Sequence, residues 1–90
     1  MTRHLLRALG NNIRAERFRM GYTQEELAEK SGFHRTYIGD VERGEKNITI
    51  NNCAIIANTL CLSLSDLIRK AESCLLTPDS GDVNVEMQSE

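Results

Sequence analysis

The run Gly21-Tyr22-Thr23-Gln24-Glu25-Glu26-Leu27 fixes a helix boundary to within a residue. A glycine just past a helix adopts the left-handed conformation that closes it. Thr23 then offers a hydroxyl to the free N–H groups of a new helix, and Glu26, three residues on, can reach back to the Thr23 amide as a capping box. Tyr22 and Leu27 stand at the two ends of a hydrophobic staple. A helix therefore begins at Gln24, and Ser31-Gly32 ends it. The next begins after His34 and ends at Arg43-Gly44, so Gly32-Phe33-His34 join two helices of seven to nine residues.

The same punctuation divides the rest of the chain. A first helix is predicted from Arg3 to Met20, with Leu6, Leu9 and Ile13 as its apolar stripe and Gly21 as its stop. A fourth follows Thr49, with Ile48 and Cys53 at staple positions and Ile50, Cys53, Ala54, Ala57, Leu60 and Cys61 as its inner stripe. A fifth follows Ser63, where Asp66 completes a second capping-box-like pair and Leu62 and Leu67 another staple, and it frays near Leu76. Almost no strand signal precedes the end of the chain. Five short helices on short links predict an all-α fold, a compact five-helix domain over residues 1–76. Residues 77–90 are Pro, Asp, Ser, Gly and acidic residues with few large apolar side chains, the composition of a disordered tail.

Composition narrows the function classes. No apolar run approaches the roughly 20 residues of a membrane span, and the N-terminus has no signal-peptide pattern, so a cytoplasmic protein is expected. Cys53, Cys61 and Cys74 are odd in number and far apart, which fits reduced thiols better than a disulfide framework or a zinc site. The two histidines, His4 and His34, lie on separate elements. No nucleophile–base pair, phosphate loop or metal cluster is present, so neither an enzyme nor a bound cofactor is expected. The net charge is −2, yet Asp79, Asp82, Glu86 and Glu90 all lie in the last twelve residues, which hold no Lys or Arg. Taking those four from the 13 acidic residues leaves 9 against 11 basic ones. The body is only weakly basic, so affinity for a polyanion must come from local placement and from two copies.

Two short helices on a glycine-containing turn follow the helix-turn-helix plan. Leu27, Ala28, Phe33, Ile38 and Val41 can share one core. On the second of the pair, Arg35, Thr36, Gly39, Asp40 and Arg43 fall on the opposite face, with Tyr37 at the edge. An arginine there can fork onto guanine O6 and N7, and Thr and Tyr can meet a thymine methyl or a phosphate. Gly39 costs up to about 1 kcal/mol in a helix interior, and clearing the approach to a groove is one reason for it. Arg17 lies on the first helix's apolar stripe, and Glu42 beside Ile38 and Val41. Long charged residues are rarely buried alone, so these two are expected to pair.

Ile13-Arg14, Arg17, Gly21 through Ala28, Ser31-Gly32, Tyr37-Ile38, Val41-Glu42-Arg43-Gly44, Asn47 and Leu60 through Leu67 resemble the Cro/phage-repressor-type helix-turn-helix family, also called XRE, with its lambda-repressor-like DNA-binding fold. His34 through Ile38, Glu42-Arg43-Gly44 and Asn47-Ile48-Thr49 are most similar to the controller proteins of restriction–modification systems. The resemblance implies base reading by Arg35, Thr36 and Tyr37, with Asp40 as a second reader. It implies contacts to the DNA backbone from Gln24, Arg43, Lys46, Asn47 and Thr49, and a structural ion pair of Arg17 with Glu42. His34 departs from the family, which usually has Ser, Thr or Asp there. Three roles are open to it: a poor cap, a phosphate contact, or a pH-sensitive charge.

More apolar residues stand on the fifth helix than one side of a small domain needs, and exposed apolar patches mark partners. A two-fold dimer interface is expected from Leu64, Leu67, Ile68, Ala71 and Leu75, with Ile55 from the fourth helix. The partners implied are double-stranded DNA through its major groove, a second copy of the chain, and RNA polymerase beside a bound site. Neither a membrane nor a small-molecule ligand is expected. The function implied is a homodimeric transcription regulator on a pseudo-palindromic operator, as activator or repressor. A phage- or plasmid-type repressor stays open, as does an antitoxin whose main partner is another protein, the latter favoured by the acidic tail alone.

Overall fold

In the computed structural model, residues 2–76 are described, without the side chains of residues 75 and 76. They form five α-helices: α1 (Arg3–Arg19), α2 (Gln24–Ser31), α3 (Arg35–Glu42), α4 (Ile50–Thr59) and α5 (Leu64–Leu76). The expected tail, residues 77–90, lies outside the described residues.

Side-chain caps place four of the five starts, all but that of α3. Thr2 accepts from the Leu5 amide at 3.1 Å. At α2 both halves of the capping box form: Glu26 N–H donates to Thr23 Oγ1 at 3.0 Å, and Thr23 N–H to Glu26 Oε1 at 2.8 Å. Thr49 accepts from the Asn52 amide at 3.1 Å, and Ser63 from the Asp66 amide at 3.0 Å. At α5 the Asp66 carboxylate pairs with Arg69. Gly32 closes α2 at φ 84°, a conformation that only glycine adopts without strain, and turns the chain into α3.

The core is built from Leu9 and Ile13 of α1, Leu27 of α2, Ile38 of α3, Cys53 and Ile56 of α4, Leu60 at its C-cap, and Leu67 of α5, each at most 1% exposed. The helix α1 is its spine: it packs lengthwise on α5 and against the end of α3. The helix α2 packs on α3 and α4, and α4 on α5. At Gly10, α1 approaches α3 so closely that a Cβ would lie 2.4 Å from the Val41 carbonyl oxygen.

Two expectations are corrected. The inner stripe of α4 is Cys53, Ile56, Ala57 and Leu60, whereas Ile50 is 63% exposed and Cys61 is exposed. Ile50 is the first residue of its helix, in a turn that reaches past the core, and Cys61 lies beyond the helix end at φ 62°. Leu67 and Ala71, expected at a dimer interface, are fully buried within the subunit. Because α5 lies along α1, the positions facing it are consumed by the core. Ile55, Leu64 and Ile68 remain half-buried, and the Leu75 side chain lies outside the described residues.

The α1–α5 seam is also polar, which the apolar stripe did not announce. Asn12 Nδ2 donates to the Leu67 carbonyl at 3.0 Å. Glu16, 6% exposed, sits between Arg19 at 2.5 Å and Lys70 at 3.0 Å, and Arg19 also donates to the Leu60 carbonyl at 3.2 Å. The Arg19 hydrogen bond, helped by Lys70, holds the Glu16 carboxyl below the usual range against the opposing effect of burial. No helix among the described residues is long and apolar enough to cross a membrane.

Candidate nucleic-acid interface

The helix α3 is fixed from one side and open on the other. Ile38 and Val41 are buried, as apolar residues three apart on a helix must be to share one face. Its last residue, Glu42, is 4% exposed and is clamped from α1 by a two-pronged guanidinium contact: Arg17 Nε to Oε2 at 2.7 Å and Arg17 Nη2 to Oε1 at 3.1 Å. The remaining donor, Arg17 Nη1, reaches the Tyr22 carbonyl at 3.0 Å, at the entrance to α2. Gln24 Nε2, from the first residue of α2, donates to the same Glu42 Oε1 at 3.0 Å. One buried carboxylate thus ties together α1, α2 and α3. A planar fork on a carboxylate fixes orientation as well as distance, so α3 is held in one rotational setting.

The opposite face carries Arg35 and Thr36, both exposed and without a partner among the described residues. An unpaired guanidinium at the start of a helix can bond a base edge or phosphate without first breaking an internal contact. His34 precedes them as the N-cap; its exposed side chain makes no capping hydrogen bond. Tyr37 is half-buried, its ring centroid 5.0 Å from that of Phe33, and its hydroxyl accepts from Asn52 Nδ2 at 3.1 Å.

Further along, the face is internally paired. Arg43 Nη2 bonds Asp40 Oδ1 at 2.5 Å and Arg43 Nε bonds Glu45 Oε1 at 3.0 Å. The Glu45 bond, with Asp40 adding to it, raises the Arg43 guanidinium above its ordinary range. Gly39 lies under the half-exposed Arg43 side chain, so it clears an approach only where that arginine moves aside. The glycine is buried, and a Cβ there would lie 3.2 Å from Arg43 Nη1 and 3.8 Å from Gln24 Oε1. The missing side chain makes room for the protein's own Arg43. In the loop to α4, Lys46 and Asn47 are exposed with no partner among the described residues, while the Thr49 hydroxyl caps α4. Arg35, Thr36, Arg43, Lys46 and Asn47 are thus exposed along the helix and the loop that follows it. Reading the sequence missed Asn52 and Glu45. Asn52 follows Thr49 by three residues at the capping position, and that spacing was the available signal.

A bundle in which two short helices meet across a glycine turn, the second presenting an exposed arginine, defines a helix-turn-helix protein. Residues 13–67 match the helix-turn-helix family profile, and the chain belongs to that family of DNA-binding transcription regulators. Within it the chain is similar to the controller proteins of restriction–modification systems. It is 45% identical over 62 residues to control protein C.SmaI of Serratia marcescens, spanning 69% of this chain and 74% of the relative. The crystal structure of the controller protein C.AhdI from Aeromonas hydrophila superposes with a TM-score of 0.67 at 37% identity, covering 69% of this chain and 94% of that one. The nucleoprotein complex of C.Esp1396I superposes with a TM-score of 0.73 at 34% identity, covering 81% and 95%.

Proposed function

We propose that the chain is the controller of a restriction–modification system, acting as a homodimer on a pseudo-palindromic operator. The observation that carries this reading is the two-sided character of α3: one side clamped through Glu42, the other presenting Arg35 and Thr36 unpaired. In this reading Arg35, Thr36 and Tyr37 meet base edges in the major groove, and Asp40 becomes a second reader once Arg43 leaves it. Gln24, His34, Arg43, Lys46, Asn47 and Thr49 contact the phosphates. Half-buried Ile55, Leu64 and Ile68 form the two-fold contact. Two copies place their α3 helices one turn of DNA apart, about 34 Å, and double a cationic face that is weak alone. RNA polymerase is a partner where the operator adjoins its site, and the cytoplasm is where these partners meet. The DNA-binding unit is residues 1–76, with residues 77–90 as an acidic appendage.

Selection of duplexes from a random pool by the intact protein tests this. The expected product is an inverted repeat with half-site centres about 10 base pairs apart or a multiple of that, bound by a species that sediments as a dimer. Enrichment of a single asymmetric site by a monomer would contradict the proposal.

A further inference from the structure

A tyrosine hydroxyl has one proton to give and lone pairs to accept with. In this protein one of those lone pairs is already taken: Asn52 Nδ2, on the first turn of α4, donates to Tyr37 Oη at 3.1 Å. The phenolic O–H is therefore left over as a donor. The ring is held a second time from the turn between α2 and α3, where Phe33 lies 5.0 Å away, tilted by 50°. Asn52 is itself seated, because its backbone N–H is bound by the Thr49 hydroxyl at 3.1 Å. It is half-buried, and its side-chain amide is committed to Tyr37.

From this we infer that Asn52 is a positioning residue for DNA recognition: it fixes Tyr37 and presents its hydroxyl to DNA as a donor. The inference rests on the reading of Tyr37 as a DNA-facing residue. A hydroxyl so preset meets acceptors: phosphate oxygens, guanine O6 and N7, adenine N7, or thymine O4, but not the amino group of cytosine. A side chain held at two points also loses less rotational freedom on binding than a free one. Thr49, proposed above as a phosphate contact, is the N-cap of the same helix, so the start of α4 serves recognition through both residues.

The test is a double-variant cycle on a duplex selected by the wild-type protein, with a random-sequence duplex as the control. Y37F is expected to weaken binding to the selected duplex about three- to tenfold, the loss of one hydrogen bond. N52L is expected to weaken it to a similar or smaller degree, and to cost nothing further in the Y37F background. Selection repeated with N52L should lose preference at the position that Y37F loses. In N52D the carboxylate accepts the phenolic proton, so adding Y37F to N52D should change nothing. Thermal melting checks each variant, and N52A replaces N52L if the latter lowers Tm. If N52L leaves the wild type unchanged or weakens the Y37F protein as much as the wild type, Asn52 does not act through Tyr37. If Y37F weakens the N52D protein as it does the wild type, the hydroxyl is not the donor. If Y37F leaves binding of the selected duplex unchanged, the DNA-facing reading of Tyr37 fails first and this inference with it.

Discussion

Glu42 is the residue on which the recognition unit turns. Its two oxygens receive Arg17 twice and Gln24 once, all from helices other than its own. Removing it leaves Arg17, 6% exposed, as an uncompensated buried charge. E42A should therefore lower stability by about 3–5 kcal/mol, which in a domain of this size lowers Tm by roughly 12 °C or more. Calorimetry on E42A and R17A checks this, and near-wild-type melting of both would contradict the clamp. The pair was legible in the sequence because each charge stood on an apolar stripe. Gly39 was legible as an anomaly but not in its meaning. An unfilled helix position reads equally as space for DNA or for another side chain, and only the path of Arg43 decides between them.

Among the elements, the starts of α2, α4 and α5 were written in their capping residues Thr23, Thr49 and Ser63, since a cap acts within four residues and needs no knowledge of the fold, whereas α3 starts at His34 without a side-chain cap. What lay out of reach was which faces meet. The apolar residues of α5 outnumber what one contact seemed to need, but α1 runs along it and takes Leu67 and Ala71. The polar part of that seam, Glu16 between Arg19 and Lys70, joins residues 54 apart in sequence, a separation that periodicity cannot bridge. It gives a pH prediction. Because Glu16's folded carboxyl titrates below its ordinary value of 4.5, its contribution is fully present above that pH and is lost as pH falls through the lower, folded value. The stability difference between wild type and E16Q should be widest near neutrality and close progressively below about pH 4. Denaturant melts of both proteins across that range measure it, and a difference constant with pH would remove the assignment.

The whole molecule has to bind a polyanion with a formal charge of −2. Placement resolves the conflict in part. Arg35 and Lys46 are exposed and unpaired among the described residues, while Arg43 waits in contact with Asp40 and Glu45. A carboxylate beside a phosphate-seeking arginine penalises loose encounters, so E45Q should tighten binding to random DNA more than to a selected operator. Titrations of both duplexes at fixed salt check this, and an equal effect on both would contradict it. If α3 reads sequence through its exposed first turn, R35A removes the side chain that does the reading. Affinities of wild type and R35A are compared on the selected operator and on random DNA at the same salt. A loss of about 1–3 kcal/mol on the operator is expected, with preference relaxed at one base pair in each half-site and a smaller change on random DNA. An R35A protein that binds both duplexes as the wild type does would contradict this reading of α3.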